Sequence, residues 1–188
     1  MLLMNGKKYL DLHFHHMDSE TMTIEENIIN EAKRIEEDTL YSAKSHLITA
    51  NLWKNINLLL GIIIIILSIT AAGFAFSKFD QLSVYVGILA IIVTALSIIQ
   101  LFLNPQEKAN LHQKTGTKYN ALRNNVRIFY EIDVSSNSEV DLIKSLKNLS
   151  DSRDELNKES PQISKFAYKK AKKGIENGEA HYLVDNSN

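Results

Sequence analysis

Few side chains in this chain are placed to do chemistry, and the first to consider are three histidines near its start, His13, His15 and His16. Imidazoles this close together could begin a metal site. No set of acids or cysteines stands ready to complete one, so they read as surface residues. Arg123 and Arg127 are one helical turn apart, with Glu131 a turn further on, a spacing that suits ion pairs first and an anionic ligand second. Lys165, Lys169, Lys170, Lys172 and Lys173 form a basic helix face. A solvated face is its plain reading and anionic lipid the next, whereas one such helix is weak ground for expecting direct nucleic-acid contact. The chain has no Cys, which removes disulfides, thiolate metal sites and Cys nucleophiles, and it has no Gly-rich phosphate loop, nucleophile elbow or paired metal motif. No enzyme activity, cofactor or metal is expected.

What must position these residues is set by two uncharged apolar stretches, 56–76 and 82–103, separated only by Ser77, Lys78, Phe79, Asp80 and Gln81. A membrane-spanning helix needs ~20 mostly apolar residues, and both stretches meet that length without an Asp, Glu, Lys or Arg. About a dozen Ile, Leu and Phe in the first, at roughly −0.3 to −0.6 kcal/mol each, outweigh Asn57, Ser68 and Thr70. The second is diluted by Ser83, Thr94, Ser97 and Gln100 and inserts best as the partner of the first. Whole-chain values conceal this centre, because a mean hydropathy of −0.14 and a net charge of −1 average it with charged flanks. The expected fold is an all-α integral membrane protein, a two-helix transmembrane hairpin whose flanking cytoplasmic helices pack into one module. Lys44, Lys54, Lys108, Lys114, Lys118 and Arg123 lie in the flanks and only Lys78 in the connection, so the positive-inside rule puts both termini in the cytoplasm.

Cap signals divide the flanks. Thr23-Ile24-Glu25-Glu26 is a capping box, and no Pro or Gly interrupts the chain from Thr23 to Gly61, so the helix begun there is expected to run on into the first apolar stretch. Asn104-Pro105-Gln106-Glu107 offers an Asn cap and Pro at the first helical position, Ser136-Asn137-Ser138-Glu139 repeats the box, and Ser160-Pro161 is expected to open a last helix ending near Gly178. The chain thus divides into a flexible segment 1–22, a cytoplasmic helix 23–55, spans 56–76 and 82–103 around the loop 77–81, a cytoplasmic helical region 104–180 and a disordered tail 181–188.

Inside the spans, small residues repeat at alternating spacings of four and three. Gly61, Ser68, Ala72 and Ala75 share one stripe of the first, and Ser83, Gly87, Ala90, Thr94 and Ser97 one of the second. Such stripes let helices approach closely in a solvent that supplies no hydrophobic force. They either pack the hairpin against itself or a neighbour, or, with Gln100, line an aqueous path in a homo-oligomer, since two helices cannot enclose one. Neither span holds an intramembrane Asp, Glu, Lys, Arg or His, which argues against proton relays, transporter ion sites and voltage sensors. In the flank, Tyr119, Leu122, Val126 and Phe129 make an apolar stripe expected to dock on the N-terminal helix.

A cytoplasmic helix leading into a two-span hairpin, followed by Pro105, Glu107, Lys108, Ala109 and His112, then Tyr119, Leu122, Arg123, Arg127 and Glu131-Ile132-Asp133, resembles the SLATT family of SMODS and SLOG-associating two-transmembrane effector domains. The resemblance implies a non-catalytic effector of a prokaryotic conflict or anti-phage system that assembles in the inner membrane and permeabilises it. It also implies partners encoded nearby: a sensor protein, a nucleotide-signal synthase or a reverse transcriptase. Tyr119, Arg123, Arg127, Phe129 and Asp133 are then candidates for cytoplasmic packing or signal coupling. The alternative is a non-conducting membrane anchor or scaffold that recruits a cytoplasmic partner.

Overall fold

The computed structural model describes residues 22–76 and 80–182. His13, His15, His16 and Lys78, and with them most of the first segment and of the tail, lie outside the described residues.

Helix α1, Ile24–Ala75, is a single helix of 52 residues, about 78 Å long at 1.5 Å per residue. It starts at the expected capping box: the Glu26 amide donates to Thr23 Oγ1 at 3.2 Å, and Glu26 Oε2 accepts from the Thr23 amide at 2.7 Å. A 3₁₀ turn at Asp80–Leu82 leads into α2, Ser83–Leu103, which folds back along the second half of α1. Asn104 ends α2 in the left-handed region at φ 42, and α3, Pro105–Ile128, starts at once. Its amide side chain donates to the Glu107 carboxylate instead of capping the backbone, so the expected Asn cap is a one-residue left-handed joint between two helices that both run antiparallel to α1.

Beyond Ile128 the helix widens into a π turn, Phe129–Asp133, where the Val134 amide reaches back five residues to the Phe129 carbonyl. Helix α4, Glu139–Glu159, is capped by Ser138, not by Ser136. Ser138 Oγ takes the Asp141 amide, and Ser136 is left to donate to the Asp133 carbonyl. The last helix, α5, is Lys165–Glu176. It opens four residues later than Ser160 suggests, because Ser164 Oγ accepts the Ala167 amide while Ser160 closes α4. Gly178 at φ 84 follows its end, as an αL stop requires.

The fold has two regions with opposite burial. In the charged module, α3 lies antiparallel on the first half of α1, with α4 against both and α5 on α1. Ile28, Ala32, Ile35, Leu122, Val126, Phe129, Val134 and Leu142 form its apolar core. The apolar half of α1 and all of α2 have no buried residue in their most hydrophobic windows, whose mean hydropathies are 2.7 and 2.6. Here the helices meet along a seam of half-buried, mostly large residues, Leu60, Ile64, Leu67, Ala71 and Phe74 facing Val86, Leu89, Val93 and Leu96. Both sets keep the four-three spacing of a knobs-into-holes contact. Leu58, Leu59, Ile65, Ile66, Ile69, Ile91, Leu101 and Phe102 stay exposed, far more contiguous apolar surface than a water-soluble monomer carries.

Gly116 sets how closely α3 approaches α1. A Cβ there would stand 2.9 Å from Leu47 Cγ and 3.1 Å from the Ala43 carbonyl oxygen. Gly116→Val should therefore force the helices apart and cost ~1–3 kcal/mol. The check is the thermal unfolding of the detergent-solubilised protein by circular dichroism, with Gly61→Ala, which meets nothing within 4 Å, as the neutral comparison.

Candidate functional site

The residues of interest gather where the charged module meets the apolar limbs. Along the α1–α3 interface, the core changes character over a few turns. At its far end are Ile28, Ile35, Val126 and Phe129, and nearer the limbs come Thr39, Ser45, His46, Thr49, His112 and Thr115, all buried. Thr39 and Thr49 turn their hydroxyls back onto the Ile35 and Ser45 carbonyls, so their burial breaks no hydrogen bond.

At the centre of this band His46 and His112 meet through their Nδ1 atoms at 2.9 Å, with the His46 ring stacked on Tyr119 at 5.6 Å and 13°. One Nδ1–H must donate and the other Nδ1 must accept, a bond that two neutral imidazoles make and two imidazolium rings cannot. His46 is 1% exposed; burial, and secondarily its neighbour His112, lower its pKa from 6.5 to about 4, and burial lowers that of His112 as well. Tyr119 completes the cluster by donating its hydroxyl to Asn157 Oδ1 at 2.7 Å, and its pKa is raised by burial.

Lower in the module Glu36 holds two partners at once. Arg123 Nε donates to Glu36 Oε1 at 3.1 Å, and the Tyr130 hydroxyl donates to Glu36 Oε2 at 2.7 Å. The Arg123 and Glu36 side chains are only 12% and 17% exposed, so this pair is weakly screened. Tyr130 is pushed upward in pKa, first by burial and then by the carboxylate it serves. Arg127 departs from expectation: among the described residues it has no ion pair, and its guanidinium lies over the Tyr182 ring, 4.5 Å from the centroid. Phe129 is in the apolar core. Asp133 ends the π turn and lines an open groove of about 370 Å³ with Asn125, Ser145 and Asn148. The five flank candidates thus fall into three groups: Tyr119 belongs to the histidine cluster, Arg123 and Arg127 both lie over the Tyr182 ring while Arg123 also pairs with Glu36, and Phe129 and Asp133 both line the groove.

In the limbs, Ser68, Ala72, Ser83, Gly87, Thr94 and Ser97 turn away from the α1–α2 seam, and Gly61 is half-buried beside it. The hairpin is therefore held by the large residues and not by the small stripe. Ser68, Thr94 and Ser97 donate to the Ile64, Ala90 and Val93 carbonyls of their own helices at 2.7–2.8 Å. Gln100 is the exception. Its amide donates to Asn57 Oδ1 at 3.0 Å, Asn57 donates to Gln106 Oε1 at 3.1 Å, and Gln106 donates to Asn110 Oδ1 at 3.0 Å. This chain of amides ties both limbs to the start of α3, and Lys108 lies over the Trp53 ring, 4.5 Å from its centroid, at the same level. Reading the sequence missed His46, Glu36, Tyr130 and Asn57. The recoverable signal was polar residues at core positions of α1, since Thr39, His46 and Thr49 fall on the stripe of Ile28, Ala32 and Ile35.

These features define a class: an all-helical protein with two long apolar helices issuing from a charged module, with no cluster of three or more metal-ligating side chains among the described residues. Residues 26–186 match the model of the SMODS and SLOG-associating 2TM effector domain family 4, and the chain belongs to that family of defence-system effectors. No curated protein and no solved structure matches it.

Two outcomes test the site. Because the folded-state pKa of His46 lies below its unfolded value, the unfolded chain binds more protons between about pH 4 and 6.5, so stability is fully present above pH 6.5 and lost as pH falls toward 4. The loss should reach about 3 kcal/mol at 1.36 kcal/mol per pH unit, and acid titration of the melting temperature should flatten in His46→Gln. Separately, Glu36→Ala strands Arg123 and Tyr130 together and should cost ~2–4 kcal/mol in the same assay.

Proposed function

We propose that the chain is a two-span inner-membrane effector, with both termini in the cytoplasm, that associates through its limbs and permeabilises the bilayer when the cytoplasmic module is triggered, leading to dormancy or death of the infected cell. The trigger is a partner sensor protein or a nucleotide signal made by a neighbouring synthase, or the action of an associated reverse transcriptase. The observation that carries this reading is the outward direction of the small-residue face. With the hairpin seam formed mainly by Leu, Ile, Val and Phe, the stripe of Gly87, Thr94 and Ser97 faces outward, the close-approach surface that helix association in lipid uses. Charge balance supports the topology, because the flanks carry most of the Lys and Arg. The spans lack Asp, Glu, Lys, Arg and His, so the lesion is weakly selective.

One observation favours a second reading, a non-conducting anchor that recruits a partner through its cytoplasmic helices. The hydroxyls of Ser68, Thr94 and Ser97 are already satisfied by their own helices and need no water.

Replacing Ser83, Thr94 and Ser97 together with Leu separates the two. A permeabilising assembly loses its conductance and toxicity at equal protein level; an anchor keeps its activity. The direct measurement is induction in bacterial cells with simultaneous readout of membrane potential and dye entry, with and without a neighbouring sensor or an artificial cross-linker. Depolarisation should precede growth arrest, and a protein that fills the membrane without leak under all these conditions would sink the effector reading.

A further inference from the structure

The lysines of α5 take no part in anything described so far. The helix docks on α1 through buried Ala167, Ala171 and Gly174, and this leaves Lys165, Lys169, Lys170, Lys172 and Lys173 exposed beside the exposed ring of Phe166. Among the described residues only Glu176 answers them, 3.7 Å from Lys172. On the topology proposed above, the face stands back from the apolar limb. Tyr168 packs against Tyr41 at 6.2 Å, and Glu179, just past the helix, pairs with Lys44. Those α1 positions precede Ile56 by enough turns to set α5 about 20 Å from the apolar limb, at 1.5 Å per residue, against a screening length of ~8 Å.

At this same height along α1 lies the second half of α4. Arg153 reaches Asp38 at 3.4 Å, Asn157 accepts from Tyr119, and Glu159 reaches Lys118 at 3.5 Å. It exposes Asp151, Asp154, Glu155 and Glu159 against one exposed lysine, Lys158, and Asp151 and Glu155 have no ion pair among the described residues. No ion pair joins α4 to α5 within the described chain, so the two charged faces do not neutralise each other in one copy. Copies held in one bilayer are related by rotation about its normal, and only surfaces at equal height can meet.

We propose that the lysine face of α5 docks head to tail onto the acidic second half of α4 in a second copy of this chain, so that the cytoplasmic modules close a ring above the associated limbs. The proposal rests on the membrane association put forward above. Such a contact is heterologous, uses different patches on the two copies, and leaves no lysine face unmatched once the ring closes.

The absence of Cys from the chain makes the test direct. Two differently tagged full-length copies, one Lys169→Cys and the other Glu155→Cys, are co-expressed in bacterial membranes and treated with a short bismaleimide. A mixed-tag adduct that requires both cysteines is expected. It should be lost when Lys165 and Lys173 of the first copy are changed to Glu, and should return when Asp151 and Asp154 of the second become Lys. That rescue separates charge pairing from misfolding. Ser97→Cys in both copies reports limb association independently. Cross-linking at Ser97→Cys without the α5–α4 adduct would overturn the proposal and leave membrane association standing, as would an adduct formed by Lys169→Cys copies alone. If neither position cross-links, association fails and the ring fails with it.

Discussion

One unbroken helix has to satisfy two kinds of surroundings, and the rest of the structure is arranged around that demand. The first half of α1 buries a stripe under α3, α4 and α5, while the second half, with no Pro, no bulge and no change of axis signal, offers its flanks to nothing in the protein. A helix satisfies its own backbone in either medium, so the transition needs no break. What changes is the chemistry of the contact face: Ile28 and Ile35 at one end, Thr39, His46 and Thr49 in the middle, then Asn57, then Leu60, Ile64 and Leu67.

That gradient sets where the module is strong and where it is convertible. The apolar cluster around Val126, Phe129 and Leu142 is stabilised by burial alone, at ~1.5–3 kcal/mol per large side chain, and does not depend on protonation or exact geometry. The band next to the limbs depends on polar contacts, each worth only ~0.5–1.5 kcal/mol net and each exchangeable for water. The two ends of the module are thus held by different kinds of contact.

The parts of this architecture that local chemistry specifies could be read from the sequence: the Thr23 capping box, Pro105 at the head of α3, the stop near Gly178 and the two apolar limbs. Each depends on residues within a turn of one another. Ser136 and Ser160 misled because a serine beside a plausible acid or proline is a cap only if the chain reverses there, and the turns fell two and four residues later, at Ser138 and Ser164. The contacts that define the site are long in sequence, 66 residues from His46 to His112 and 87 from Glu36 to Arg123, and no periodicity encodes a pairing across that distance. The small-residue stripe was visible, but so was a stripe of large residues one position away. Which of the two seals the hairpin is decided by packing, since Leu, Val and Phe fill the seam more fully than Gly and Ser.

The two limbs are joined to the module in unequal ways. The first limb is a direct extension of α1, so any tilt or rotation of α1 within the module is carried into it along a rigid rod. The second enters through Asn104, a non-glycine residue held at φ 42, a conformation that costs ~1–2 kcal/mol and interrupts the helical backbone between α2 and α3. Across that joint the limbs are kept in step by the amide chain from Gln100 through Asn57 and Gln106 to Asn110, with Lys108 over Trp53 beside it. The seam is thus coupled to the module through the continuous backbone of α1 and through side-chain amides that bridge the joint at Asn104.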